Sequence, residues 1–405
     1  MVILCLILYW VSLLALFYTY FGYAALVSVW VKLSGRGKAS ADEHSLADEQ
    51  SLAHDHNSLP AVTVLIPAYN EADYIGPKIR NTLELNYPRH LFNVLVITDG
   101  STDGTELIAG AFPQVTVLHQ PERRGKAAAI NRAMASIRTP VTILTDANTQ
   151  LPGEAVRLLV RSFGDQSVGA VSGEKKVISS EAEELSGEGE GLYWKYESFL
   201  KWGDAQLYSV VGAAGELLAF RSELFQPLEE DTILDDFVLS MRICEQGYRV
   251  AYEPAARAVE TGSADLQEEQ KRKIRIAAGG FQAIGRLKKV WKMNRILIFQ
   301  YLSHRVFRWV VAPPALILLL FSNLYLVVRD TGWWYELTAL GQILFYSMAA
   351  IGWLGARTNT KWPIVYLPYY FFFMHWAVLL GLLRYLGGKQ DARWEKSGRI
   401  KVPVK

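Results

Sequence analysis

Met1 to Val31 carry no charged side chain, whereas about 20 apolar residues suffice for a helix to cross the hydrocarbon of a bilayer. The pattern predicts a membrane-spanning helix over residues 1–32. A cleavable leader has a basic start and a shorter apolar core, but here the basic residues Lys32, Arg36 and Lys38 come afterwards. By the positive-inside tendency, the amino terminus faces outward and the chain beyond the helix lies in the cytoplasm.

Over residues 33–60 the chain turns polar and self-similar, with SLADEQ followed by SLAHDH. It lacks the aromatic residues needed to bury a core, so it reads as a flexible tether. His44, His54 and His56 fall in it without any fixed geometry, which favours solvated side chains over a metal site.

From Val62 onward short β-rich runs alternate with helical patterns: VTVLI, a helix near Glu71 to Leu85, NVLVIT, a helix near Gly104 to Ala111, VTVLH, a helix from Lys126 to Ile137, and VTILT. Such alternation predicts an α/β domain, a largely parallel sheet covered by helices. Ligands bind such sheets beyond the carboxyl ends of the strands. Pro67, Asp99 and Asp146 fall where three strands should end. Further on, Gly191 to Tyr208 reads as an aromatic-rich helix whose rings suit packing on the sheet or, as the alternative, stacking on sugar rings, LLAF as a strand, and Asp235 to Gln246 as a helix. This domain is predicted over residues 61–265.

Residues 266–308 are basic and amphipathic, with His304, Arg305 and Arg308 interrupting an apolar background. They read as helices lying in the membrane interface. Residues 309–386 contain three further crossing candidates, Val310 to Val328, Leu337 to Gly355 and Trp362 to Leu383. Four simple crossings would place the carboxyl terminus outside, yet the tail at 387–405 is basic and argues for the cytoplasmic side. A re-entrant or interfacial last segment reconciles the two.

Composition agrees with a chain that is part soluble and part membrane: 405 residues, 51% hydrophobic, with a mean hydropathy of +0.11. The formal charge of +2 gives no reason to expect nucleic acid as a partner. Cys5 and Cys244 are the only cysteines, which excludes a disulfide framework and a cysteine zinc site.

Displacement at a glycosyl phosphate bond asks for a base, a cation to neutralise the departing diphosphate, and a pocket for the nucleotide. Asp146 and Asn148 at a strand end offer hard oxygen ligands for magnesium or manganese. Asp235 and Asp236 open a helix, where the dipole favours negative charge. They read either as a capping sequence or as the source of the general base, with Asp236 the preferred member. Lys126, at the beginning of a helix, suits a phosphate or the nucleotide; a solvated charge is its plain alternative. Gly100 and Gly104 suit a phosphate cradle or an ordinary turn.

With IPAYNE, TDGSTDGT, GKAAAIN, TDANT, GAAGELLAFRSELF and DDFVLSMRICEQGYRVAYEP in this order, the stretch from Val62 to Gly280 resembles the family 2 glycosyltransferases. These are inverting enzymes of the GT-A fold that use nucleoside diphosphate sugars. The resemblance implies that Ala68, Tyr69 and Glu71 form the first nucleotide-contacting segment and that Asp99 meets the base. It implies further that Asp146 is the first metal-binding residue of the Asp-x-Asp element, with Asn148 in place of the second Asp, and that Asp236 is the catalytic base. The membrane frame is similar to that of polysaccharide synthases making cellulose, hyaluronan, chitin or poly-N-acetylglucosamine. Their Gln-x-x-Arg-Trp element has its nearest match at Arg272 to Ile276, where Arg275 is left to meet the diphosphate and the acceptor-stacking Trp is missing. The tail segment Arg393 to Arg399 resembles the Trp-and-basic element after their last span.

The expectation is therefore a multi-pass enzyme of the cell membrane, such as a bacterial inner membrane, with its catalytic domain in the cytoplasm. It would move a sugar, from a uridine diphosphate donor, onto a growing surface polysaccharide with the help of a divalent cation. Single addition to a lipid-linked acceptor is the alternative. A channel with a nucleotide-sensing domain is disfavoured, because intramembrane charges along a path are its mark and the later spans lack them apart from His375, which suits an interhelical hydrogen bond. The donor sugar and any export partner are not legible.

Overall fold

The computed structural model describes residues 1–35, 59–178, 184–261, 266–358 and 363–388. The three tether histidines and the Arg393 to Arg399 segment lie outside the described residues. Seven strands form one sheet: β1 (Val62–Ala68), β2 (Phe92–Asp99), β3 (Val115–Gln120), β4 (Val141–Thr145), β5 (Val168–Ile178), β6 (Leu217–Arg221) and β7 (Arg249–Thr261). Their order is β3-β2-β1-β4-β6-β5-β7. All neighbours run parallel except β6, which is antiparallel to both β4 and β5. From β1 the order proceeds outward through β2 and β3 on one side and starts again with β4 on the other. A ligand crevice is expected beyond the carboxyl ends at such a switch point.

The strands next to that switch point are apolar on both faces because helices cover both, and all seven residues of β1 are buried. Successive side chains alternate between faces. Val64 and Ile66 pack with Ile75 and Ile79 of α2 (Ala72–Leu83) and with Leu159 of α5 (Ala155–Arg161). Leu65 belongs to the core on the opposite face, which also takes in Ile130 of α4 (Lys126–Met134) and Met241 and Ile243 of α7 (Asp235–Glu245). A short α3 (Thr105–Gly110) follows β2.

Strands β5 and β7 escape the sequence reading. The second half of β5 carries Gly173, Glu174, Lys175 and Lys176, and β7 contains Pro254, so neither shows an apolar alternation. Their pairing shifts from Gly173↔Glu253 to Glu174↔Arg257, which leaves residues 254–256 of β7 as a bulge. Beyond the bulge, Val259 makes two backbone hydrogen bonds with Gln150, 2.8 and 2.9 Å. The end of β7 is thereby fixed beside the turn that follows β4.

Among the described residues, four helices are long and apolar enough to cross a membrane: α1 (Val2–Leu33), α9 (Arg295–Val328), α10 (Trp333–Arg357) and, over Ile364–Leu386, α11 (Pro363–Leu386). The expected border near residue 308 between interface helix and span is not there. Residues 295–328 form one continuous helix with wide π-type turns at 301–311, and its first half lies against the sheet domain. Ahead of it, α8 (Leu266–Arg286) packs on α11, and Gly381 comes so close that a side chain there would stand 2.5 Å from Ala277 Cβ.

The aromatic helix is α6 (Glu184–Leu207). It packs on the sheet, where Ser198 donates to Glu174 of β5 and Lys201 lies 3.7 Å from the same carboxylate, and also on α1: Tyr196 Oη donates to the Tyr20 carbonyl at 2.7 Å, and Gly203 lets Val27 approach. Phe199 and Trp202 are exposed. The charges that break the apolar run of α9 fold onto this helix. His304 bonds Asp204 at 2.6 Å and Glu197 at 3.2 Å, and Arg305 and Arg308 reach Glu197 at 2.8 and 2.6 Å. Tyr23 of α1 donates to the same Asp204. His375 does make the interhelical bond, 2.5 Å from Tyr20 Oη.

Candidate active site

The loops after β1 and β2 are laced together by Asn70, which sits at a positive φ of 54. Its N–H donates to Ser101 Oγ at 3.1 Å, and its Oδ1 accepts from Thr102 N–H at 2.8 Å. The N–H of Glu71 donates to Thr105 Oγ1 at 2.9 Å. Ala68 is buried at the end of β1. The Tyr69 ring lies under the Arg123 guanidinium, 3.9 Å from its carbon.

Asp99, the last residue of β2, has no exposed surface. Both its oxygens accept from Arg124 N–H at 3.1 Å, and Oδ2 also accepts from Gly125 N–H at 2.6 Å. Gly100, with φ of +68, lies so close that a side chain there would meet the Arg123 backbone nitrogen at 2.9 Å. A carboxylate bonded to backbone donors in this way fixes the loop, and the fixed loop delivers Lys126 to the first turn of α4.

Lys126 Nζ is 2.9 Å from Asp146 Oδ1 and 3.4 Å from Asp235 Oδ2. Burial opposes its charge, but Asp146 and Asp235 outweigh burial and hold the ammonium well above the ordinary lysine range. Asp236 moves the other way. Burial first, and then the adjacent Asp235, push its carboxyl up to about 7 although Lys126 pulls it down. Neither carboxylate caps α7 in the usual manner, since Asp236 Oδ1 accepts from Phe237 N–H at 2.8 Å and the capping position is Leu234. Two glycines of the GAAGE stretch make room. Gly212, with φ of +79, lies against the Phe237 ring, and a Cβ on Gly215 would stand 2.8 Å from Asp236 Oδ2.

The turn after β4 is tied by Thr149 Oγ1, which donates to the Asp146 carbonyl at 2.8 Å. Beneath it lies Lys78 of α2, fully buried, its Nζ 3.0 Å from Thr145 Oγ1 and 3.1 Å from Thr149 Oγ1. Burial lowers this ammonium to about 7 against the pull of Asp146. On the other flank Asn148 Nδ2 donates to Glu260 Oε2 at 3.1 Å. Lys175 pairs with that Glu260 and, at 2.6 Å, with Glu216.

Among the described residues, no three His, Cys, Asp or Glu side chains converge to hold a metal by themselves. Asp146 and Asn148 nevertheless fit a hard cation that takes one or two protein oxygens and completes its shell with substrate phosphates. The ammonium drawn between Asp146 and Asp235 shows that positive charge is favoured there.

Residues 63–225 match the family model described as Glycosyl transferase family 2. This chain carries a family 2 glycosyltransferase domain. The glycosyltransferase is 24% identical over 371 residues to the probable glycosyltransferase YdaM of Bacillus subtilis (strain 168), covering 84% of this chain and 87% of that protein. It is 25% identical over 236 residues to the poly-beta-1,6-N-acetyl-D-glucosamine synthase of Staphylococcus aureus (strain MSSA476), spanning 56% of the length of each. Among solved structures, the mannosyltransferase PcManGT from Pyrobaculum calidifontis, in complex with GDP-Man and Mn2+, superposes with a TM-score of 0.63 at 23% identity, over 90% of this chain and 98% of that one. That likeness supports the GT-A-like fold expected of the sheet and its covering helices.

In the glycosyltransferase, Asp146, Lys126, Asp235 and Asp236 meet at one place, and Asp99 adjoins it through Gly125. Asn148, two residues on from Asp146 in the same turn, bonds Glu260 of β7. Arg275 is half-buried on α8. Three residues earlier, Arg272 bonds Glu269 at 2.9 Å and lies in the fields of Glu260 and Glu216. Sequence reasoning missed Lys78, Lys175, Glu216 and Glu260. A lysine on the apolar side of the predicted helix near Glu71 to Leu85 was the signal for Lys78, whereas Lys175 lies on a strand that the pattern does not show.

Proposed function

We propose that this chain is a membrane-bound inverting glycosyltransferase. It moves a sugar from a nucleoside diphosphate donor, uridine diphosphate being the expected carrier, onto a growing surface polysaccharide. The observation that carries this reading is the convergence of Asp146, Asp235 and Asp236 around Lys126 beyond the carboxyl ends of the sheet.

Asp146 and the Asn148 carbonyl would hold magnesium or manganese, which supplies electrostatic stabilisation for the charge growing on the departing diphosphate. Lys126 adds a fixed positive charge at the same edge. Ala68, Tyr69, Glu71 and Asp99 border the nucleotide side, and Arg275 is assigned to the diphosphate from α8. Asp236, with an affinity for protons near neutrality, takes the proton of the acceptor hydroxyl. The freed oxygen bonds to the anomeric carbon while the carbon–oxygen bond to the diphosphate breaks, which inverts the configuration. A base that titrates near the working pH is best matched to this task.

Single addition to a lipid-linked acceptor is the second reading. It is favoured by the isoleucines Ile274 and Ile276 around Arg275, where processive synthases carry an acceptor-stacking Trp. The four apolar helices support a multi-pass enzyme of the cell membrane, and the basic residues Lys32, Arg36 and Lys38 after the first of them favour the catalytic domain on the cytoplasmic side.

The test incubates membranes containing the protein with a panel of nucleotide sugars, with and without Mn2+. One donor is consumed only with the cation, and Asp236→Asn binds that donor without turnover. A ladder of products supports polymerisation and a single product supports one addition. Equal turnover by the variant would remove Asp236 as base.

A further inference from the structure

The second ligand position of the turn after β4 is an amide, and the structure gives a reason. Asn148 is buried, and its Nδ2 donates to Glu260 Oε2 at 3.1 Å. The other oxygen of Glu260 is held by Lys175, which also bonds Glu216 at 2.6 Å. Glu260 is brought there from the far end of the sheet by the bulge in β7 and by the paired hydrogen bonds between Val259 and Gln150.

An asparagine amide has one oxygen able to ligate a hard cation and one nitrogen that only donates. Its rotation about χ2 decides which of the two faces the cation. The Glu260 carboxylate accepts only, so it selects the nitrogen and leaves Oδ1 for the other side; no donor reaches Oδ1 among the described residues. We propose that Glu260, anchored by Lys175, is the positioning residue that turns the Asn148 carbonyl toward the divalent cation, and that its negative charge is the reason an aspartate is excluded at 148. This rests on the reading of Asp146 and Asn148 as the cation site. Groups behind a ligand that fix its orientation typically contribute 10- to 100-fold in metal affinity.

The charge pattern makes the effect of substitutions opposite to the simple expectation. A second carboxylate at 148 would ordinarily strengthen binding of a divalent cation. Here it would face the Glu260 carboxylate at hydrogen-bond distance, and like charges held that close are unfavourable in a poorly solvated setting. With Glu260→Gln alone, Lys175 draws the new amide oxygen, its NH2 group turns to Asn148, and the Asn148 amide rotates so that nitrogen faces the cation. With both changes, the amide introduced at 260 donates to the carboxylate introduced at 148, and the pair is satisfied again.

The experiment measures Mn2+ affinity of the full-length chain in detergent from the free-ion electron paramagnetic resonance signal, in separate series with UDP and with GDP. Thermal melting is followed alongside. We expect Glu260→Gln and Asn148→Asp each to weaken Mn2+ binding about tenfold, and Asn148→Asp/Glu260→Gln to return within about threefold of wild type. Recovery in the double variant also excludes misfolding as the cause of the single losses. Tighter Mn2+ binding by Asn148→Asp alone, or additive losses in the double variant, would overturn the inference while leaving the cation site in place. Asp146→Asn is the control for that site: unchanged Mn2+ affinity in this variant would sink the functional reading as well.

Discussion

The Asp236 carboxylate oxygen Oδ2 lies 2.8 Å from the point that a side chain on Gly215 would occupy. Two segments separated by β6 are thus fitted to each other at the proposed base, and the smallest residue is required on one of them. Gly215→Ala is expected to push the carboxylate aside with little change in melting temperature. A displacement of about 1 Å at a catalytic group costs on the order of 100-fold in rate. Initial rates of nucleoside diphosphate release, compared with circular dichroism of the same preparation, check this.

Asp236→Asn should lower turnover by about 100- to 10,000-fold, the range for loss of a general base, with donor affinity retained. In the wild type, the proposed base must be ionised to act, and the Asp236 carboxyl is pushed up to about 7 by burial and by Asp235. The kcat/KM value is therefore expected to fall as pH drops below about 7. A flat profile down to pH 5 would assign the base elsewhere.

Asp236 also sets a stability dependence with a definite sign. Its folded value of about 7 exceeds the ordinary 3.8, so between these limits the native state binds more protons than the unfolded chain. Stability contributed by this group falls as pH rises through that window. Asp236→Asn should melt above wild type at pH 8, and the gap should close below pH 4. Differential scanning fluorimetry in detergent measures the gap.

Lys78 gives the opposite slope. Burial lowers its ammonium from 10.5 to about 7, so between those values the unfolded chain binds the extra proton. Stability from this group rises with pH across the window. Lys78→Met should remove the rise in melting temperature between pH 7 and pH 9. It should also loosen the Asp146 turn that Thr145 and Thr149 brace, seen as weaker Mn2+ binding.

Glu197 binds His304, Arg305 and Arg308 between α6 and α9, and is itself 3% exposed. Burial alone would raise its carboxyl, but Arg308 and Arg305 hold it well below the usual range. Glu197→Ala strands partly buried cations, a change that costs about 3–5 kcal/mol. The melting temperature should fall sharply, and Glu197→Gln should lose less than Glu197→Ala. Equal melting of all three proteins would show that the cluster contributes nothing to docking the catalytic domain on its membrane helices.

Much of this protein can be read along the chain. Apolar runs without charge give α1, α10 and α11, because burying or solvating a charge in hydrocarbon is so costly that its absence is informative. Alternating strand and helix patterns give β1 to β4: β1, β2 and β4 because inner parallel strands covered on both faces are largely apolar, and the edge strand β3 through its β-branched run. Asp99, Asp146 and Asp236 stand at element ends, where loop backbone and neighbouring charges can partner a carboxylate. The failures have the same physical origin. Residues 295–308 look interfacial because His304, Arg305 and Arg308 are polar, yet their partners Glu197 and Asp204 lie about a hundred positions away and make burial tolerable.

The identity and order of most elements, and the chemical types carried at their ends, are written in the chain itself. They come from local periodicity and from the cost of unpaired polar groups, which act residue by residue. Partnership between side chains is settled only on folding. Lys126 stands between Asp146 and Asp235, Gly215 yields to Asp236, and the bulge in β7 brings Glu260 to Asn148. Side-chain ionisation and amide orientation depend on charges within a few ångströms, and such distances between remote residues exist only once the sheet has closed its order.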